Sequence, residues 1–255
     1  MRGCDESTMG RNETTRSSGS PKFLLERLNQ SRHVWDYWRC AMPHVVEMGT
    51  VRGLDVGLPT HFHVEDQITL VLAGRRRFYI GCELIEVSAG HAVRIPAGTP
   101  HRSLGEETEV VCVNIYATAA GDGLQEDIAR LARAYGCSDA VSALKWRAHE
   151  ENDTSLGVLA VARDDMELLR RRPVAQAASR IGMTREGFSR KIKKTYGISP
   201  QEIGLMARLN IARRLLQEGH HTAAAAAASG FSDQSHLGRC FVRAFGVTPG
   251  RYRAG

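Results

Sequence analysis

GFSDQSHLGRCFVRAFGVTPGRY, residues Gly230 to Tyr252, reads as the second half of a helix-turn-helix. Gly230-Phe231-Ser232 forms a tight turn, Asp233 is placed to cap a helix by accepting from backbone N–H groups one turn on, and Gly246 with Pro249 stops that helix. Leu237, Phe241 and Phe245 recur at i, i+4 and i+8 and predict the buried face. Gln234, Ser235, His236 and Arg239 point elsewhere, and such a run at the start of a helix suits base edges and phosphates.

The pattern occurs a second time. In Gly182 to Pro200, GMTREGFSRKIKKTYGISP, Thr184 is the expected cap, Phe188, Ile192 and Tyr196 keep the buried spacing, and Gly197 and Pro200 close the unit. Phe188 corresponds to Leu237, Arg190 to Arg239, Ile192 to Phe241, Tyr196 to Phe245, Gly197 to Gly246 and Pro200 to Pro249, all at one offset. The second turn is one residue longer. Pro200 to Gly219 reads as a connecting helix with Ile203, Met206, Leu209, Ala212 and Leu216 as its inward stripe, ended by Gly219.

On these residues the region from about Asp164 to Arg253 resembles the tandem helix-turn-helix domain of the AraC/XylS family of transcription regulators. The resemblance implies that the connecting helix holds two recognition helices apart so that both enter successive major-groove faces on one side of double-stranded DNA. Carried over position by position, it implies base contacts from Glu186, Ser189 and Arg190 in the first unit and from Gln234, Ser235, His236 and Arg239 in the second. Arg pairs with guanine and Gln with adenine through two hydrogen bonds, whereas Glu186 only accepts and suits a cytosine amino group or a neighbouring Arg. Lys191, Lys193, Lys194 and Arg243 are assigned to phosphates, which give affinity without sequence choice.

Charge agrees with this division. The chain of 255 residues carries a formal charge of +6, and from Arg163 to Gly255 there are 17 Lys and Arg against 7 Asp and Glu, so the remainder is net acidic. A polyanion-binding surface is therefore expected in the C-terminal third. A hydrophobic content of 42% and a charged content of 24% are those of a globular protein with room for two domains. No apolar run approaches the roughly 20 residues that span a bilayer, and the N-terminus lacks an apolar signal core, which predicts a cytoplasmic chain with no membrane partner. Cys4, Cys40, Cys82, Cys112, Cys137 and Cys240 form no CxxC pair and are expected to be reduced.

Residues 1–21 are Ser, Thr, Gly and charge, and are expected to be a disordered tail. Lys22 to Arg39 reads as a short helix or strand. From about Pro43 to Thr118 the period changes to two, with strand candidates at Val45 to Met48, Gln67 to Leu72, Arg77 to Ile80, His91 to Ile95 and Val110 to Tyr116 separated by Gly and Pro. Many short strands with Gly turns imply a sandwich or small barrel.

Within that segment, Gly57 to His63 followed by Gln67 and Gly74 resembles the first cupin motif, and Gly90, Pro96, Gly98 and His101 resemble the second. Gln67 stands where metal-binding cupins have Glu, and Gly105 where the second motif often ends in Asn. His61 and His63 lie on the same side of a strand, since alternate residues share a face, so both point into the barrel or both point out; facing inward with His101 they could give three imidazoles to Zn, Fe, Ni or Mn. A neutral amide in place of the carboxylate removes charge that offsets a divalent cation. The other use of His61, His63, Gln67 and His101 is as donors and acceptors of an effector pocket, with no cofactor at all.

The expected architecture is α+β in two domains: a cupin-like β-barrel or double-stranded β-helix at 22–150 with trailing helices, a linker at 151–155, and an all-α tandem helix-turn-helix domain at 156–255. Leu124, Ile128, Leu131 and Tyr135 mark one trailing helix, Val141, Leu144 and Ala148 a second, and Leu156 to Leu169 the first helix of the DNA-binding part. Pro173 starts the next, Val174 to Arg180. Ala223 to Ala228 favours helix but buries little area. The expected function is a sequence-specific regulator, more often an activator in this family, whose barrel senses a small polar effector and whose partners include RNA polymerase and a second copy of the chain. The alternative is a metal-dependent cupin enzyme fused to a DNA-binding module.

Overall fold

The computed structural model describes residues 33–39, 42, 44–118, 133 and 160–255. The expected trailing helices, the linker and the N-terminal tail lie outside the described residues. Among the described residues nine strands come first: β1 (Trp35–Trp38), β2 (Val45–Gly53), β3 (Leu58–His61), β4 (Asp66–Ala73), β5 (Arg75–Ile80), β6 (Glu83–Ser88), β7 (Ala92–Ile95), β8 (His101–Ser103) and β9 (Val110–Ala117). They form a five-stranded sheet of order β1-β2-β9-β4-β7 and a four-stranded sheet of order β3-β8-β5-β6, antiparallel throughout.

Alternation sets which face is inside. In β5, RRRFYI, every second residue is buried, so Phe78 and Ile80 enter the core and Arg76 enters with them. The Arg76 guanidinium is accommodated by donating to Leu104 O at 3.1 Å and lying 5.6 Å from the Trp35 ring centroid and 5.3 Å from that of Phe78. Burial lowers its pKa from the ordinary value, with Cys112 and Glu106 opposing. β4 and β9 are buried almost end to end and carry a polar string across the sheet, in which Gln67 Nε2 donates to Thr69 Oγ1 at 3.1 Å and Thr69 Oγ1 donates to Asn114 Oδ1 at 2.7 Å.

Seven helices follow among the described residues: α1 (Arg163–Arg171), α2 (Val174–Arg180), α3 (Arg185–Tyr196), α4 (Pro200–Gln217), α5 (Thr222–Ser229), α6 (Gln234–Phe245) and α7 (Pro249–Ala254). The sequence duplication is a structural one. Thr184 and Asp233 cap α3 and α6 by accepting from Gly187 N and His236 N, and both helices end on a left-handed glycine, Gly197 at φ 71° and Gly246 at φ 72°. Ser199 and Thr248 then cap α4 and α7, each with Pro in the first turn. Phe188, Ile192 and Tyr196 are buried in the first unit and Leu237, Phe241 and Phe245 in the second, while Ile203, Met206, Leu209, Ala212 and Leu216 form the buried stripe of α4. Ala225 and Ala226 are fully buried in α5, where their small size brings that helix close to α4.

Two boundaries differ from expectation, and one open reading is resolved. The first helix of this region starts at Arg163, because Ala160–Ala162 precede it outside any helix: Val161 N donates to Gly98 O at 2.9 Å on the barrel. Of the helix or strand expected within Lys22 to Arg39, Trp35–Trp38 is a strand, its aromatic residues pairing along β2 in register Trp35 with Val51 and Trp38 with Met48. β3 ends at His61, so His63 lies beyond the strand and its orientation does not come from strand alternation.

Candidate functional site

The three imidazoles meet nonetheless. His61 faces His101 across the β3–β8 pair, and the PAG turn between β7 and β8 is tied down around them. Ala97 N donates to Asp66 Oδ1 at 2.8 Å, Arg94 Nε donates to Asp66 Oδ2 at 2.9 Å, and Gly98 N donates to the His63 carbonyl at 2.7 Å. The last bond places His63 beside the turn that delivers His101, with Gly98 held at φ 76°. Ring centroids are 4.4 Å apart for His61 and His101, 5.0 Å for His61 and His63, and 5.5 Å for His63 and His101. One ligand atom from each lies within 4.8 Å of the others, and all three residues are buried.

The hydrogen-bond network assigns the protons. His61 Nδ1 lies 2.7 Å from Pro59 O and His101 Nδ1 lies 2.9 Å from Thr99 O, so both donate from Nδ1 and leave Nε2 as an acceptor. His63 is the reverse: the Arg213 guanidinium donates to His63 Nδ1 at 3.2 Å, which puts the His63 proton on Nε2. Gln67, donating from Nε2 to Thr69, has Oε1 unpartnered, as are His63 Nε2 and His101 Nε2 among the buried atoms. The pocket thus offers three acceptors, His61 Nε2, His101 Nε2 and Gln67 Oε1, beside one N–H donor. Burial holds all three imidazoles neutral, with His101 pushed down to about 4, and the charge of Arg213 further lowers His63.

Ligation of a divalent cation by three imidazoles does not fit this arrangement, because His63 turns a proton rather than a lone pair to the pocket while Arg213 holds its other nitrogen. No carboxylate replaces Gln67 to balance the cation. The remaining acceptors fit a ligand that brings its own N–H or O–H donors.

Arg213 was not among the residues singled out by sequence, and it is the centre of the site. It projects from α4, is 2% exposed, and passes into the mouth of the barrel. Its Nε donates to Glu47 Oε1 at 3.0 Å and its Nη2 to the same oxygen, while Nη1 donates to Glu65 Oε2 at 2.9 Å. The guanidinium lies 4.5 Å from the Tyr116 ring centroid and 5.7 Å from that of Phe245. Burial alone would depress its pKa, but the charge of Glu47, joined by Tyr252 and Glu65, overrides that and leaves it raised. Tyr252 donates its hydroxyl to Glu47 Oε2, and Gln217 Nε2 donates to the same carboxylate at 2.7 Å.

Two other bonds extend this seam. Asn210 Nδ2 donates to Phe62 O at 3.1 Å and Tyr37 OH donates to Phe245 O at 3.0 Å. Asn210 and Arg213, buried, and Gln217, half-buried, therefore make a second face of α4, polar where the first is apolar. The signal for it was Glu47 interrupting an apolar strand, VVEM, on a buried element.

The predicted DNA-facing residues lie away from this seam. Glu186, Arg190, Lys191, Lys193 and Lys194 on α3, and Gln234, Ser235, Arg239 and Arg243 on α6, are exposed, while Ser189 and His236 are half-buried. His236 packs its ring 5.3 Å from that of Phe231, and Ser232 meets its Nδ1 at 3.1 Å. Lys193 Nζ donates to Gly197 O at 2.6 Å, so it caps the end of α3 here. A groove of about 550 Å³ between α1, α2, α3 and α4 adds Arg170, Arg171, Arg172, Arg185 and Arg208 to the basic surface.

The comparisons with known proteins agree with the two halves. A family model described as a helix-turn-helix domain, of the AraC type, matches residues 177–255, and one described as a cupin domain matches residues 53–116. The chain is 24% identical over 239 residues to the probable transcriptional regulator LumQ of Photobacterium leiognathi, covering 80% of this chain and 95% of that one. Among solved structures, unsaturated fatty acid-bound ToxT of Vibrio cholerae is 12% identical over 80% of this chain and 94% of that one, with a TM-score of 0.47. A transcriptional regulator with an AraC-type DNA-binding domain from Chromobacterium violaceum is 28% identical over 35% of this chain and 86% of that one, with a TM-score of 0.34. The fold and its motifs thus define a cupin barrel joined to a DNA-binding helix-turn-helix pair. The chain carries an AraC-type helix-turn-helix domain and a cupin domain, the make-up of a transcriptional regulator.

Proposed function

We propose that this chain is an effector-responsive activator and not an enzyme: a small polar molecule in the barrel at His61, His63, Gln67 and His101 alters how the barrel and the helix-turn-helix pair are joined, and so alters DNA binding. The observation that carries this reading is that one helix, α4, serves both halves. Its apolar stripe holds the two recognition units, while Arg213 on its other face reaches the pocket histidine His63. Glu186, Ser189, Arg190, Gln234, Ser235, His236 and Arg239 read bases, and Lys191, Lys193, Lys194 and Arg243 hold phosphates. A second copy of the chain and RNA polymerase complete the assembly in the cytoplasm. The metal-dependent enzyme is disfavoured by the donor set, which sets a protonated His63 nitrogen and a neutral amide where ligands would be needed.

The experiment is a binding titration over single-base variants of a selected duplex at two salt concentrations. Arg239→Ala should relax preference at one base pair, a loss of about 1–3 kcal/mol of discrimination, whereas Lys194→Ala should weaken all sequences alike and flatten the salt slope by about one unit. Identical behaviour of the two variants would refute the assignment.

A further inference from the structure

Arg213 occupies the barrel as a ligand would. Everything that surrounds its guanidinium except Tyr252 and Phe245 belongs to the barrel: Glu47 on β2, Glu65 before β4, His63 beside the turn, and the face of Tyr116 on β9. Two carboxylates, a ring nitrogen that accepts, and an aromatic face form a receptor for a planar organic cation. Glu47 is 2% exposed and His63 is 3% exposed, so the receptor is built into the interior. In the same cluster as His63 are the acceptors His61 Nε2 and His101 Nε2, their ring centroids 5.0 and 5.5 Å from that of His63.

We propose that this cage is the effector site, that the effector is a small guanidinium- or amine-bearing molecule with further N–H donors, and that Arg213 is its competitor supplied by the chain itself. This rests on the effector-responsive reading above and names the ligand class that reading leaves open. The head group of such a molecule replaces the Arg213 guanidinium between Glu47 and Glu65 against Tyr116, and its remaining donors reach these imidazole acceptors. Arg213 then leaves with α4, and the bonds from Gln217 and Tyr252 to Glu47 leave with it. Ligand and docked helix exclude each other from one cage, so each weakens the other by the same factor. The docked form also lowers the apparent ligand affinity in proportion to its population.

The test uses the full chain without DNA and takes methylguanidinium and agmatine as probes, read by titration calorimetry. Arg213→Ala removes the internal competitor and should bind methylguanidinium at least about tenfold more tightly than the wild type, the factor expected for one charge-assisted hydrogen-bonded contact. In the wild type, agmatine should bind, and in the Arg213→Ala background, where no internal competitor shares the contact, Glu65→Gln should weaken methylguanidinium by about the same factor. A folded Arg213→Ala chain with no gain in affinity overturns the proposal. So does methylguanidinium binding that Glu65→Gln leaves unchanged in the Arg213→Ala background, or no agmatine binding by the wild type at millimolar concentration, which needs no variant to fold. Because DNA is absent, these outcomes are separate from the operator titration: a chain that reads DNA but ignores both cations keeps the regulator reading and loses this one.

Discussion

Gly246→Ala isolates the contact between the two halves of the chain. Gly246 ends α6 at φ 72°, and a Cβ built on it would stand 2.4 Å from Trp35 Cδ1 and 2.5 Å from Trp35 Cγ. Two costs therefore add. Left-handed backbone costs a non-glycine residue about 1–2 kcal/mol. The collision is with an indole that is itself buried against the barrel, and overpacking of this kind costs about 1–3 kcal/mol. Gly182→Ala separates the two, since Gly182 has φ 68° and nothing within 4 Å of its Cβ position. In thermal denaturation of the full chain the Gly182 variant should lose about 1–2 kcal/mol and the Gly246 variant about 2–5 kcal/mol. At about 2–4 °C per kcal/mol for a chain of 255 residues, the two melting temperatures should differ by several degrees. Equal losses would mean that Trp35 does not rest on the end of α6, and the docked arrangement around Arg213 would fall with it.

Acid should weaken the fold through the pocket histidines. The folded-state pKa of His101 is depressed to about 4 by burial, so its neutral form is fully favoured above about 6.5 and the stability it supports is lost as pH falls from there toward 4. At pH 5 this amounts to ~2 kcal/mol from His101, with His61 and His63 acting in the same direction, and denaturation at pH 7 and pH 5 would show it; equal stability at both would contradict the buried neutral cluster. Site-resolved alkylation at pH 8 should label exposed Cys82 in the folded chain and spare Cys112, which is buried and pushed up to about 11, until the chain unfolds. Gly204→Ala places a Cβ 2.6 Å from Leu169 O, where α4 crosses α1, and should cost about 1–3 kcal/mol in urea denaturation; no loss would mean the two helices do not cross there.

The C-terminal half was legible because its signals are local. Caps, left-handed glycines and a period of 3.6 all fall within each unit, and repetition from Thr184 to Asp233 and from Gly197 to Gly246 made each reading support the other. In the barrel β2, β4, β5, β7 and β9 were readable from their Val, Ile and Tyr content, whereas β3 and β8 are short and β6 is mostly exposed or half-buried, and these give little periodic signal. The convergence of His61, His63 and His101 followed from their motifs, but not the proton arrangement, which depends on Arg213 about 150 residues away. No hydropathy pattern marks Asn210, Arg213 and Gln217, because a polar side chain buried against another domain looks in sequence like a solvated one.

Hydroxyl-radical footprinting of the full chain on a duplex enriched from a random pool tests the central claim most directly. Two similar units presenting α3 and α6 to successive major-groove faces should protect two patches on one side of the duplex, about one helical turn apart. Failure to enrich any sequence over random competitor at moderate salt, or protection confined to a single patch, would contradict the account.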